Sequence, residues 1–207
     1  MSKRLLSAVV LTFAAYLICN GTPHGKKNYT TITYGIEWSY VESFSSFIHQ
    51  NFYSQEGSRV DIKGSALFHK SEAEVYLHLG ANLNKYWNLA LYAGCTRIVH
   101  THYAIPISLR LTRFFRPDPM GDRGISFIEA GSGPAFTKVP SPLFSARIGG
   151  GYRFSLSRKT KIDLIASYRL LYSQPQINYF GEIISHEAIM RNTGLYSAIT
   201  IGVSITL

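Results

Sequence analysis

Cysteine, charge and long hydrophobic runs are all scarce in this chain. Its 207 residues include only two cysteines, which excludes a disulfide framework and a metal site built from cysteine ligands. Charged residues make up 16% of the sequence, against about 25% in an average domain. A mean hydropathy of +0.03 is too low for a bundle of transmembrane helices, and 46% hydrophobic residues are too many for an intrinsically disordered chain.

One apolar run stands at the N terminus. Two basic residues precede an apolar stretch over 5–18, which has the length of a signal-peptide core and is short for a spanning helix, since such a helix needs about 20 apolar residues. We expect a signal peptide over 1–21, with an uncleaved anchor as the alternative, followed by one domain over 22–207. Lipidation of Cys19 stays open, although the bulky Ile18 before it does not suit a lipoprotein signal.

The mature sequence alternates between apolar and polar residues, and this period of two is typical of β-strands. Eight segments show it: 32–40, 73–80, 87–94, 105–112, 124–133, 146–154, 162–170 and 195–207. Compact, turn-like connections alternate with longer ones, and the longest are 43–70 and 172–193. We predict eight antiparallel strands in an up-and-down meander, with no helix after residue 21.

The polar faces of these strands indicate which side of the meander is inside. They carry four acids and four arginines with almost no lysine, and a confined interior favours arginine because its planar, weakly hydrated guanidinium pairs with carboxylates. Mid-strand glycines lie on the same faces, as expected where other groups approach closely. Aromatic residues lie mostly near strand ends, as in membrane-interface belts: Tyr34, Trp38, Tyr40, Trp87, Tyr103, Tyr152, Phe154, Tyr168 and Tyr196.

These observations favour a barrel with polar residues inside and apolar residues facing lipid. A soluble barrel would place its apolar residues inside. We therefore predict an all-β fold: an eight-stranded antiparallel up-and-down transmembrane β-barrel over the mature chain.

The mature chain resembles the small eight-stranded outer-membrane barrels of the OmpA/OmpX/OmpW type. The segments 105–110 and 149–154 are similar to stretches in outer-membrane β-barrel proteins of the Bacteroidetes lineage. This resemblance implies an integral protein of the outer membrane of a Gram-negative bacterium, inserted by the barrel-assembly machinery, with both ends in the periplasm. The chain departs from the pattern at Leu207, where such barrels usually end in Phe.

The polar faces supply the candidate functional residues of the interior. They are Glu37, Glu74, His78, Arg110, Glu129, Arg147, Arg153, Asp163 and Arg169. Because eight strands leave an interior just wide enough for side chains to fill, we expect these residues to plug the lumen with ion pairs. We therefore predict a structural or surface-interaction protein, with a narrow channel for small solutes as an alternative.

The outer connections supply a second set of candidates. Six basic residues there could contact the anionic groups of lipopolysaccharide: Arg59, Lys63, Lys70, Arg97, Lys138 and Arg191. The aromatic residues of 43–70 are typical of a binding surface, although an extended hairpin is an equal interpretation. We expect outer-membrane lipid and lipopolysaccharide as partners, and a surface or envelope protein bound through loops 43–70 and 172–193. Nucleic acid is not expected, because the signal peptide takes the chain out of the cytoplasm.

Signals for catalysis are weak. Residues 185–187 read Ser-His-Glu, but adjacency in sequence does not form a catalytic triad, because the fold sets the geometry. In barrels that deacylate lipid A, a His is followed by Ser and Asn, and this motif is absent at His102. His100 and His102 have no evident third metal ligand. We predict no enzyme, metal or cofactor, and keep a lipid A-modifying enzyme as a further alternative.

Overall fold

A computed structural model describes residues 32–54, 56–98, 102–118, 121–136, 141–157 and 160–207. The expected signal peptide, Cys19, His100 and Lys138 lie outside them. The strands are β1 (Ile32–Tyr53), β2 (Arg59–Asn82), β3 (Trp87–Ile98), β4 (His102–Ala104), β5 (Ile107–Phe114), β6 (Arg123–Phe136), β7 (Ser141–Ser155), β8 (Lys161–Ser173), β9 (Asn178–Tyr179), β10 (Glu182–Ile183) and β11 (Ile189–Thr206). A single 3-10 turn spans His186–Ala188. No helix in this part of the chain is long and apolar enough to cross a membrane.

The described strands close into a ring. Each barrel strand pairs antiparallel with its neighbour in sequence, and β11 pairs with β1 from Thr206 opposite Gly35 upward. β4 and β5 together form one barrel strand, which is interrupted at Ile105 and Pro106 because proline has no N–H to give to a ladder. The ring therefore has eight strands, and the predicted up-and-down barrel is confirmed.

Polar side chains face the interior of the ring and apolar side chains face outward. On β1, Glu37 is fully buried, whereas its neighbours Ile36 and Trp38 are 44% and 52% exposed. A soluble barrel would show the opposite orientation. Tyr196 does not face the membrane interface as predicted: it points inward and is 4% exposed, because it occupies the same face of β11 as Ala198 and Thr200.

Three adjacent strands are longer than a membrane span requires. β1, β2 and β11 have 22, 24 and 18 residues, against about 9–11 for a tilted transmembrane strand. Above a β-bulge at Phe44, β1 continues to pair with both neighbours as far as Phe52. Bulges are frequent at barrel rims, where they bend a strand. The segment 43–70 is therefore a continuous hairpin and not a loop, which agrees with the second of its two sequence interpretations.

The other long connection is also shorter than predicted. β8 extends to Ser173 and β11 begins at Ile189, so that the connection is 174–188 and not 172–193. It contains the small β9–β10 hairpin. The sequence concealed the extra strand residues because both faces of an extension above the membrane meet water, which removes the alternation.

The hairpin and the last connection pack on each other. Fully buried Phe52 contacts the edge of the Tyr179 ring, with ring centroids 5.3 Å apart. Phe52, Ile177 and Ile184 form an apolar cluster, flanked by Val60, Tyr179, Ala188 and Ile189. We call the unit made of 45–67 and 174–191 the cap. The two segments predicted as separate loops are thus one structured unit above the barrel.

Candidate functional site: the lumen and the cap

Three acids and three arginines meet in the middle of the lumen. Each is 5% exposed or less, and together they carry no net charge: Glu37, Glu74, Glu129, Arg110, Arg147 and Arg169. They come from six different strands, since inward-facing positions of β1, β2, β5, β6, β7 and β8 lie at the same height. We call these six residues the ionic layer.

Arg110 forms the centre of one half of the ionic layer. Its guanidinium donates to both oxygens of Glu37, with Nη1–Oε2 and Nη2–Oε1 distances of 2.5 and 3.0 Å, and its Nε donates to Glu129 at 2.7 Å. The rings of Tyr92 and Phe127 lie 3.9 and 4.3 Å from the guanidinium carbon. A planar, delocalised cation suits this position between carboxylates and ring faces, which lysine would not.

Glu74 joins the other half. It accepts from Arg169 Nη1 at 2.6 Å and lies 3.4 Å from Arg147 Nη1. Arg147 and Arg169 are directly opposite each other on β7 and β8, so that their like charges need a carboxylate between them. Arg147 also reaches Glu37 at 3.1 Å. Because β7 lies across the ring from β2, these contacts span the lumen.

The remaining predicted lumen residues lie nearer the short-turn end. Arg153 forms a two-pronged pair with Asp163, with both N–O distances at 2.6 Å. His78 stacks on Tyr92 with centroids 4.9 Å apart, and its Nε2 is 3.4 Å from Thr206 Oγ1. The structure thus places all nine predicted lumen residues inside the barrel, seven of them at or below 5% exposure and Arg153 and His78 at 8% and 6%.

Apolar layers close the lumen on both sides of the ionic layer. One cluster, toward the short turns, consists of Phe114, Ile125, Phe127 and Ile165. The other, toward the cap, consists of Ala104, Ala135, Leu143, Leu171 and Tyr196, and Phe68 of β2 packs against it. A cavity beside Arg153 and Asp163 measures about 10 Å³, roughly the room for one water molecule.

Sequence reasoning missed the aromatic and apolar residues of the lumen. Ile125, Phe127 and Ile165 face inward although the residue type indicated the lipid side. The available signal was register, since Phe127 and Glu129 are two residues apart on one strand and must share a face. The inward glycines give room to these rings: a Cβ on Gly149 would lie 2.9 Å from the Phe127 ring.

The basic residues predicted in outer loops lie on strands instead. Arg59 and Lys63 are in the hairpin part of β2, Arg191 is near the start of β11, and all three are exposed. Lys70 contacts Glu72 at 3.6 Å, and Arg97 lies near the end of β3 with its guanidinium 6.0 Å from the Tyr103 ring. The five described residues lie toward the cap end of the molecule, which is where lipopolysaccharide would be. Nothing brings them into one cluster.

The catalytic candidates show no assembled site. The chain turns at 185–188, where the Ala188 amide donates to the Ser185 carbonyl. Within the described residues, no group of three His, Cys, Asp or Glu side chains could hold a metal ion.

The tip of the cap displays an aromatic side chain in an unusual conformation. Phe180 has a φ of 50° and is 91% exposed, and Gly181 after it has a φ of 85°. Positive φ at a bulky residue is strained by roughly 1–2 kcal/mol. Such strain is tolerated where the surrounding structure enforces it, and functional sites are the usual location.

An outward-facing polar cluster marks the boundary between barrel and cap. Glu42 accepts hydrogen bonds from Tyr40 and Ser71 at 2.8 Å each, and these hydroxyls lower the pKa of its carboxyl. His69 lies 3.6 Å from it. An ionised carboxylate facing outward belongs in water or the head-group region, so the apolar belt ends at Tyr40.

Comparison with protein-family models and with curated proteins finds no match for this sequence. Several solved structures are similar. Neisserial surface protein A is 11% identical, with 88% of this chain and 99% of that chain covered at a TM-score of 0.46. OprG from Pseudomonas aeruginosa is 11% identical (86% and 97%, 0.48), and Ail of Yersinia pestis is 14% identical (86% and 100%, 0.40). A likeness at this level describes the fold and assigns no function.

The environment of the barrel follows from its own surface. Large apolar side chains such as Ile148 and Ile201 are about 60% exposed on the outer face, while charged groups fill the interior. Closure removes the sheet edges that lipid does not tolerate. The molecule is therefore an integral transmembrane barrel of the outer-membrane type.

Proposed function

We propose that this protein is a non-conducting outer-membrane barrel with a structural and surface-interaction role. The observation that carries the proposal is the ionic layer, which crosses the lumen between opposite strands and lies between two apolar layers. An ion would have to break buried pairs such as Arg110–Glu37 to pass. Breaking such a pair costs several kcal/mol, because it leaves an uncompensated buried charge.

The cap is the part of the molecule that would carry out the interaction. It is held by its own apolar cluster and fixed to the barrel through three continuous strands. It presents Phe180 at 91% exposure on a strained turn. A large exposed aromatic on a rigid support is typical of an interaction surface, because little conformational entropy is lost on binding.

Conductance in a planar lipid bilayer tests the closed lumen. The refolded wild-type protein should give no steady single-channel currents, while a known porin in the same bilayer should. Reproducible unitary currents from the wild-type chain would contradict the proposal and support the channel.

Photo-crosslinking in intact cells tests the cap. A benzophenone amino acid at Phe180 should give a defined adduct with a partner outside the cell. The same group at Phe115, which is 59% exposed at the opposite end of the barrel, is the matched control and should not give that adduct. If position 180 yields no specific adduct, the cap is not an interaction surface.

A further inference from the structure

A groove opens on the outer face where β2 and β3 separate. The last pair between these strands is Glu74 opposite Thr96. Beyond it, β2 continues into the cap with β1, while β3 turns to pair with β4 through Arg97 opposite Tyr103. The resulting groove has a volume of about 470 Å³. It lies at the level of Tyr40, where the apolar belt meets the polar cluster around Glu42.

The groove contains a buried carboxylate without a hydrogen bond. The Glu72 side chain is 2% exposed, and neither of its oxygens has a hydrogen-bond partner among the described residues. Its nearest cation is Lys70, at 3.6 Å, which is too far for a good hydrogen bond. A buried, unsatisfied carboxylate is costly. Glu72 lines the groove, so a ligand bound there can supply the missing donor.

The opposite wall of the groove is cationic and aromatic. Arg97 is exposed and flanks the Tyr103 ring. Its guanidinium fork suits a phosphate group. The Tyr40 and Ser71 hydroxyls, which also line the groove, are oriented by Glu42. The site therefore combines a cation for phosphate with a carboxylate for an ammonium group.

The floor of the groove is apolar and made of short side chains. Ala73 and Cys95 face outward between the rings of Tyr40 and Tyr103. Below Cys95, Ala93 continues this column on β3. A shallow apolar track that leads from a polar site into the belt fits an acyl chain, since tall side chains on both sides would flank it.

We infer that this groove binds the head group of an outer-leaflet lipid that carries both a phosphate and a primary ammonium group, as phosphoethanolamine does. Arg97 binds the phosphate, and the Glu72 carboxylate accepts the ammonium N–H groups. The acyl chain follows the short side chains below. Two lipids offer this chemistry, phosphatidylethanolamine and lipid A modified with phosphoethanolamine. The site is separate from the lumen and does not depend on whether the barrel conducts.

Native mass spectrometry of the refolded, detergent-solubilised protein tests this inference. Phosphatidylethanolamine, phosphatidylglycerol and phosphoethanolamine-modified lipid A are added in turn to the wild type and to the variants Arg97→Gln, Glu72→Gln and Arg113→Gln. Arg113 is an exposed arginine beside the Trp87 ring at the other end of the belt and is the matched control. Heat-modifiable gel mobility shows that each variant is folded.

The wild type and Arg113→Gln should bind the amine-bearing lipids in preference to phosphatidylglycerol. Arg97→Gln should lose about tenfold in binding of every lipid, the effect of one charge-assisted hydrogen bond. Glu72→Gln should lose only the preference for the amine. Whichever amine-bearing lipid binds more strongly identifies the source. Wild-type levels of binding by Arg97→Gln, or an amine preference that survives in Glu72→Gln, would overturn the assignment.

Discussion

Single side chains in the lumen have roles set by the strand opposite them. Arg147 stands directly across from Glu129 on one neighbouring strand and from Arg169 on the other. Like charges directly opposite are destabilising, and the Glu74 carboxylate comes from the far side of the ring to separate them. The position of Glu74 therefore matters more than the number of ion pairs.

Replacement of Glu74 by Gln should destabilise the barrel by about 3–5 kcal/mol, because it leaves two buried arginines facing each other without their carboxylate. Unfolding by urea in lipid vesicles, followed by tryptophan fluorescence and by gel mobility, measures this change. Glu56→Gln, on an exposed turn residue, should leave the midpoint unchanged. An equal midpoint for Glu74→Gln and wild type would mean that the ionic layer is not important for stability.

At the scale of elements, the bulge at Phe44 divides one pair of strands into two environments. Below it, β1 and β2 alternate between lipid and lumen. Above it, both faces lose that pattern, and the hairpin depends on the 174–188 connection for its apolar contacts. A two-stranded hairpin alone is marginal in water, so the cap exists because β11 adds a third strand and the β9–β10 hairpin covers Phe52.

Replacement of Phe52 by Ala should unfold the cap and spare the barrel. Truncation of a fully buried Phe costs about 3–5 kcal/mol, and the cap has little other apolar burial. Trypsin should then cleave faster at Lys63 and Arg191 in folded protein in vesicles, while heat-modifiable mobility of the barrel persists. Tyr53→Ala is the neighbouring control, since Tyr53 is 44% exposed. Protection equal to wild type in Phe52→Ala would show that the apolar cluster does not hold the cap.

At the scale of the whole molecule, exposed apolar residues belong to two different solvents. Ile148 is 60% exposed at mid-barrel, and Ile62 is 44% exposed on the cap hairpin. Exposure alone does not separate them. Their height relative to Tyr40 and Glu42, where the belt ends, places the first in lipid and the second in water.

An arginine at each position should therefore have different effects. Ile148→Arg should lower the free energy of unfolding in bilayers by about 2–4 kcal/mol, the penalty for arginine at the bilayer midplane. Ile62→Arg should have almost no effect. Unfolding titrations in the same vesicles compare the two. Equal penalties, or none for either, would contradict the position of the belt.

The sequence by itself determined the architecture and the identity of the inward face. A period of two is a local property, and in lipid a closed barrel is the only way for strands to satisfy their backbone hydrogen bonds. Each of the eight predicted strands therefore appears in the structure. Local alternation also placed Glu37, Arg110 and Asp163 on the polar faces, because side chains two residues apart on a strand share a face.

Only the tertiary structure decided which partners those residues meet and where the strands end. The contacts of Arg147 with Glu37 and Glu74 join residues more than 70 positions apart, and strand register round a closed ring, not spacing along the chain, brings them together. The cap was hidden for the same reason. Its hairpin has water on both faces and so no alternation, and what stabilises Phe52 is a connection more than 120 residues away in sequence.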